Sequence, residues 1–451
     1  VIKQRISPRL WFVIDAAWVI TLIVFALVGM PIATFHGDEP MQIYMSGDYW
    51  VALVDRNINS LMTHPPYDID TDPQLRILNG SINRYTIGAV WHVAGYSRDQ
   101  LPPRPGWDWG LSYADNVRTN HRPAEPLLNA ARLPSTLFFA FSIPFMFLIG
   151  YRAGGRASAY AASVLYALHP VLLLNGRRAM QEGAMLFFGI LTVWIAVIIA
   201  HRRALQQSVN IALWALLALA CGLALTAKHS GIVFVGAALG WIAFAELTHF
   251  KLRRAISAAF MTAAAGILAV GLFIALSPAL WNDIPARLSD LLNVRAQLID
   301  IQINLDPIAP MTLQQRIEQI IIQPFITPVA HFEVDFWRDD PNVQAEIARY
   351  MASPLSGIQF GQVGGAVLTF LAAVGLIICL YGVFWAKDPT RRAFYAGMLA
   401  WTLVNIAALL ANPLPWQRYY LPFIPAACLL AALGINTAAA RLTGGKTVNT
   451  F

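Results

Sequence analysis

In the stretch "FHGDEPMQ" two carboxylates, Asp38 and Glu39, stand side by side in a chain that is only 13% charged. Adjacent acids can push their proton affinities apart, which suits a general base that must take a proton near neutral pH. Pro40 opens helices well, so the pair is expected at a helix N-terminus, where an anionic base is favoured. The plainer alternative is solvation of two acids at a membrane interface. Cations recur further along: Arg132 in "NAARLPS", Arg177 and Arg178 in "NGRRAMQE", Lys228 in "AKHS" and Arg418 in "NPLPWQRYY". As a set they could line a cationic pocket for a lipid-linked phosphate. Singly, each could pair with a local acid or snorkel to head groups.

Other patterns carry less. "HFEVDFW" places His331, Glu333 and Asp335 at alternate positions, as on one face of a strand, which is a weak metal pattern. Trp107 and Trp109 could stack on a sugar ring or anchor a loop at an interface. No Gly-rich loop follows a strand, which argues against a soluble nucleotide cofactor. Cys221, Cys379 and Cys428 fall in apolar runs without CxxC spacing, so neither a disulfide framework nor a metal site is expected from them.

The elements that must position these residues are membrane helices. The chain has 451 residues, 57% of them hydrophobic, and a mean hydropathy of +0.53, too apolar for a soluble enzyme of this size. Runs of 18 or more apolar residues recur, and ten spans are expected at about 11–32, 135–151, 157–175, 182–200, 210–227, 230–247, 256–278, 363–385, 394–411 and 419–438. The first is too long for a signal peptide and is expected to remain as an anchor. The net charge of +7 reads as loop arginines that set topology rather than as a nucleic-acid surface.

"YRAGGR", "HRR", "HFKLRR" and "AKDPTRR" follow spans two, four, six and eight, and the positive-inside rule makes all four cytoplasmic, with both termini. The long segments 33–134 and 279–361 then lie on the opposite, extracytoplasmic side. They contain amphipathic stretches, such as "QLRILNGSINRYTIGAVWHVAGY" and "LQQRIEQIII", expected as helices in the interface plane. The expected fold class is an all-α polytopic membrane protein, with one domain over residues 1–440 and a cytoplasmic tail over 441–451 that includes Arg441 and Lys446. No internal repeat or low-complexity tract stands out.

The order of motifs resembles a known family. A first span, the acid pair, "HPP" (His64 to Pro66) and "ARLPS" (Ala131 to Ser135) resemble the GT-C glycosyltransferases, with most similarity to protein O-mannosyltransferases and aminoarabinose transferases. "RRAMQEGAMLFF", "CGLALTAKHSG" and "RYYLPFIPA" are similar to the family's later segments. Glu182 stands where an Asp is usual, and Tyr67 and Asp68 follow "HPP" in place of Leu and a nearby Lys. The second loop is too short for the β-trefoil domain of eukaryotic members, which points to a bacterial cytoplasmic (inner) membrane.

The resemblance implies an inverting transfer of a sugar, mannose or another hexose or pentose, from a polyprenyl-phosphate carrier to a protein or lipid acceptor at the outer face. It implies Asp38 as the base or as the residue that orients the acceptor, with Glu39 as its partner, and Arg132 as binding the donor phosphate or holding the site together, with Arg177, Lys228 and Arg418 as further phosphate candidates. His64 and Glu182 are additional site candidates. It implies no metal and no cofactor. A lipid-linked sugar transporter would also need outer cations, but should show inverted repeats. A non-catalytic subunit of a membrane assembly could keep the fold without the chemistry.

Overall fold

The computed structural model describes residues 7–249, 251–305, 310–333 and 339–442, so Asp335 and Lys446 lie outside the described residues. Those residues form helices and connecting turns, with no strand among them. Eight helices are long and apolar enough to cross a membrane, as expected of an integral membrane protein. In chain order the elements are α1 (Pro8–Val28), α2 (Asp38–Met45), α3 (Gly47–Tyr49), α4 (Asp72–Leu78), α5 (Ser81–Val93), α6 (Tyr113–Arg118), α7 (Glu125–Ala167), α8 (Pro170–Arg177) and α9 (Glu182–Ala204). Then come α10 (Ile211–Ala227), α11 (Ile232–Leu247), α12 (Leu252–Ala275), α13 (Ile284–Leu305), α14 (Leu313–Ile322), α15 (Pro341–Ala352), α16 (Gly361–Trp385), α17 (Pro389–Ala411) and α18 (Ile424–Leu442).

The count of eight differs from the ten expected spans at two places. Helix α10 has only 17 residues and falls short of membrane length. The 43-residue α7 runs through Gly154 and Gly155, and Gly155 takes the left-handed φ of 73° that glycine tolerates best. A side chain on Gly150 would meet Ala159 and Ala162, which a straight helix would hold more than about 10 Å further along its axis. The helix therefore turns back on itself at the two glycines, and its second limb is continued by α8.

Local chemistry sets the helix ends. Ser7 accepts from the Leu10 N–H ahead of Pro8, and Asp388 accepts from the Thr390 N–H ahead of Pro389. Thr312 and Gln315 form a reciprocal capping box on α14. Within the bundle α7 packs on α1, α9 and α18, α11 on α9 and α17, and α10 on α12. Helices α16 and α18 approach through glycines on both: a methyl on Gly375 would strike the Leu430 carbonyl, and one on Gly434 the Leu371 carbonyl. With lipid as solvent, such close backbone approach replaces the hydrophobic drive.

The two ends of the bundle differ. At one end the basic connectors bond to one another. Arg203 pairs with Glu246 and donates to the Arg254 carbonyl at 2.8 Å, and His249 meets the Pro389 carbonyl at 3.1 Å. At the other end both long loops gather. Thr63 donates to the Ala279 carbonyl at 2.8 Å, Ser81 to the Leu276 carbonyl at 2.6 Å, and Arg122 of the first loop pairs with Glu346 of the second at 2.7 Å. Amphipathic α4, α5, α13, α14 and α15 all belong to this loop end.

Candidate active site

Helix α2 opens at the loop end directly after Gly37, with Asp38 and Glu39 as its first two residues and Pro40 third. The missing Pro40 N–H belongs to the first turn, where no helical partner was due. Consecutive helical positions diverge by about 100°, so the two acids face different surroundings.

Glu39 turns inward and is fully buried. Arg132 of α7 donates to it twice, from Nε at 2.7 Å and Nη2 at 2.8 Å. The backbone N–H groups of Ala179 and His36 add bonds at 2.9 and 3.0 Å. Burial alone would raise the Glu39 carboxyl, but Arg132 outweighs it and holds the group below its ordinary range. Arg132 spends its third nitrogen on the Ala33 carbonyl at 2.9 Å and is itself buried. Of the two roles expected of Arg132, this geometry fits holding the site together and not contact with a donor phosphate, because its guanidinium is buried and committed to Glu39 and the Ala33 carbonyl. Glu39 likewise shares no proton with Asp38, because each acid has its own arginine.

Asp38 remains partly open, with its side chain 21% exposed. Arg418, from the turn between α17 and α18, donates Nη1 to Asp38 Oδ2. The same guanidinium gives Nε to Glu333 Oε1 at 3.1 Å. Burial pushes the Asp38 carboxyl up, while Arg418 pulls it further down, so it stays charged at neutral pH. Burial lowers the Arg418 guanidinium, and Glu333 and Asp38 more than restore it. Arg418 and Glu333 are 15% and 12% exposed, so this three-charge group forms a shallow opening while the Glu39 pair is sealed behind it.

Glu182 and Lys228 adjoin the group. Lys228 Nζ pairs with Glu182 Oε1, and Glu182 in turn acts electrostatically on Arg418. Lys228 and Arg295 of α13 both act on His229, and Arg295 donates to the Tyr419 hydroxyl at 3.2 Å, next to Arg418. Lys228 thus reaches Arg418 through Glu182, and Arg295 reaches its neighbour Tyr419.

Other expected residues are placed elsewhere. Arg177 is buried and caps the C-terminal turn of α1, donating to the Ala26 carbonyl at 2.9 Å and the Phe25 carbonyl at 2.7 Å. It satisfies helix-end carbonyls and is not free for phosphate. Arg178 ties the Thr34 carbonyl at 2.9 Å to the His331 carbonyl at 2.6 Å. His64 is exposed, with Asn282 as its neighbour, and has no ion pair or hydrogen bond to the Asp38 group. Trp107 is buried against Phe35 and Tyr113, whereas Trp109 stays 42% exposed.

Among the described residues no set of three or more His, Cys, Asp or Glu side chains converges as metal ligands would. His331 and Glu333 serve separate partners, Thr34 at 2.9 Å and His36 at 2.7 Å. Sequence reading missed His36, Arg295 and Asp70. Burial, then Asp108 and Asp38, raise the Asp70 carboxyl, which places it in the electrostatic neighbourhood of Asp38. His36 adjoins the acid pair in sequence, which was a usable signal. Arg295 sits on an amphipathic helix among other charges and gave none.

Residues 113–281 match the family model of dolichyl-phosphate-mannose-protein mannosyltransferase, a span that includes Arg132, Arg177, Glu182 and Lys228. No curated protein matches the chain in sequence. Among solved structures it is similar to the oligosaccharyltransferase of Archaeoglobus fulgidus in its apo form, with a TM-score of 0.50 and 12% identity over 96% of this chain and 53% of that one. The same enzyme tethered to an acceptor peptide containing the NVT sequon gives a TM-score of 0.50 and 12% identity over 94% of this chain and 50% of that one. The chain thus spans about half the length of the solved structures it matches. In fold over nearly all its length, and in sequence over residues 113–281, the chain resembles the GT-C glycosyltransferases.

Proposed function

We propose that this chain is an inverting glycosyltransferase that moves a sugar from a polyprenyl-phosphate carrier to a protein or lipid acceptor at the extracytoplasmic face of a bacterial inner membrane. The observation that carries the reading is the partly open Asp38–Arg418 pair at the loop end, with Lys228 paired to Glu182, which acts on Arg418, and Arg295 bonded to the adjacent Tyr419. The mannosyltransferase family match over residues 113–281 supports it. A carrier lipid keeps its tail in the bilayer while its sugar phosphate projects from it, so chemistry on that sugar belongs where the helices end.

Asp38 takes the proton of the acceptor hydroxyl as its oxygen attacks the anomeric carbon. The bond from that carbon to the phosphate oxygen breaks, and attack from the far side inverts the configuration. The leaving phosphate gains charge, which Arg418 and its cationic neighbours stabilise; such positioned charge is commonly the largest catalytic contribution. Arg418 must then exchange part of its grip on the two carboxylates for the phosphate, which leaves Asp38 a stronger base once donor is bound.

The test is transfer by purified, detergent-solubilised protein offered a polyprenyl-phosphate sugar or a nucleotide sugar, with hydroxyl-bearing peptides and lipid A-type lipids as acceptors. Transfer from the lipid donor, absent in Asp38→Asn, is expected. Transfer from the nucleotide sugar without a lipid carrier would refute the donor assignment.

A further inference from the structure

Glu333 has no part in the reaction as proposed, yet it bonds to both groups that hold Asp38. Its Oε1 accepts from Arg418 Nε at 3.1 Å, and its Oε2 lies 2.7 Å from His36 Nε2. The Asp38 backbone N–H donates to His36 Nδ1 at 3.0 Å. An imidazole nitrogen that accepts an N–H carries no proton, so the neutral His36 ring has its hydrogen on Nε2, donated to Glu333. His36 is buried, which fixes the ring in that orientation. Glu333 therefore reaches Asp38 by two routes: through His36 to its backbone, and through Arg418 to its carboxylate. The residues joined are 297 positions apart, so the second loop completes a constellation begun by the first.

We infer that Glu333, acting through His36 and Arg418, is the positioning residue that aims Asp38 at the acceptor hydroxyl. This rests on the reading of Asp38 as the base. In this role Glu333 acts through His36 and Arg418, not on either substrate. A carboxylate is required because both neighbours donate: an amide at this place would turn its NH2 group toward one donor and leave it unpaired. The charged and titratable groups facing Asp38 are His36 beside it, Arg418 from the α17–α18 turn, Glu333 from the second loop and Asp70 from the first.

The experiment compares wild type with Glu333→Ala, Glu333→Gln, His36→Ala and His36→Asn. It measures kcat, the donor KM, the pH profile of kcat/KM for acceptor, and the melting temperature. Glu333→Ala and Glu333→Gln are expected to lower kcat by about 10- to 100-fold, the scale of a misaimed reacting group. The donor KM should hold or fall, because a negative charge leaves the phosphate-binding arginine. The acid limb should move to lower pH in Glu333→Ala, because that same charge raises Asp38 in the wild type. His36→Asn, whose amide oxygen can still accept the Asp38 N–H, should retain more activity than His36→Ala.

Wild-type kcat and an unmoved acid limb in Glu333→Ala would overturn the inference. So would a loss of folded protein with unchanged kcat per folded molecule. An inert wild type would strike the glycosyltransferase reading instead. The His36→Ala/Glu333→Ala melting cycle then decides the link by itself, and additive losses would overturn it.

Discussion

Asp38 and Glu39 are neighbours in sequence, and each meets an arginine, yet the two pairs are built for different work. The Glu39–Arg132 pair is closed: four donors reach the carboxylate, three arginine nitrogens are used, and neither side chain sees solvent. The Asp38–Arg418 pair is open, and its arginine is divided between two carboxylates. A fully bonded buried pair resists change, since removing either partner strands a charge at low dielectric. A shared arginine at the edge of an opening can trade one anion for another at little cost. The same two residue types thus give a joint in one place and, on the proposed reading, a reactive site one residue away.

The comparison is broken most severely at the closed pair. Glu39→Gln or Arg132→Ala should each cost about 3–5 kcal/mol of stability, enough to leave little folded protein in a detergent-stability or size-exclusion assay. The double variant Glu39→Leu/Arg132→Met should recover much of that loss, because an apolar pair of similar volume leaves no stranded charge. Full stability of Glu39→Gln alone would mean that the sealed pair is no joint.

At the open pair, Asp38→Asn should leave melting nearly unchanged and lower turnover by about 10²–10⁴-fold, the usual share of general-base catalysis. Near-normal turnover would return the acids to interfacial solvation. A smaller loss is expected from Arg418→Lys. Lysine cannot fork between two carboxylates, so donor affinity should fall by about 10-fold, roughly the worth of one charged hydrogen bond. Titration of the purified protein with polyprenyl phosphate reads this directly.

Acid sharpens the contrast more gently. The Glu39 carboxyl is held below its ordinary value of 4.5, so the stability it contributes is complete above that pH and lost as pH falls through the lower folded value. Melting temperature should therefore hold from neutral pH to about 4.5 and decline below it. Glu39→Leu/Arg132→Met should show a shallower decline. The smallest effect is expected at His64: exposed beside Asn282, it should change stability by no more than about 0.5 kcal/mol on substitution by alanine.

Much of the architecture was legible because its causes are local. Apolar runs the length of a bilayer mark helices whatever surrounds them, and the basic connectors marked one end of the bundle before their mutual bonds at Arg203, Glu246 and Arg254 were known. The helix start at Asp38 followed from the acids and Pro40. The reversal at Gly154 and Gly155 was legible too, because the basic connector "YRAGGR" divides the expected spans 135–151 and 157–175 where the helix turns back; the length of α10, at 17 residues, was not.

By itself the sequence determined that two acids open a helix where the chain leaves the first span, and that cations stand at the same end. Only the tertiary structure decided which cation each acid receives. Arg132 and Arg418 have the same side chain, and nothing local marks one as buried joint and the other as site. Asp38 and Arg418 lie 380 positions apart, and Glu333 reaches them from a third segment. Ion pairing depends on distance and desolvation, which long-range packing sets. Glu39 is sealed because α7 and the Ala179 backbone close over it, and Asp38 stays open because the turn at Arg418 and the second loop only border it.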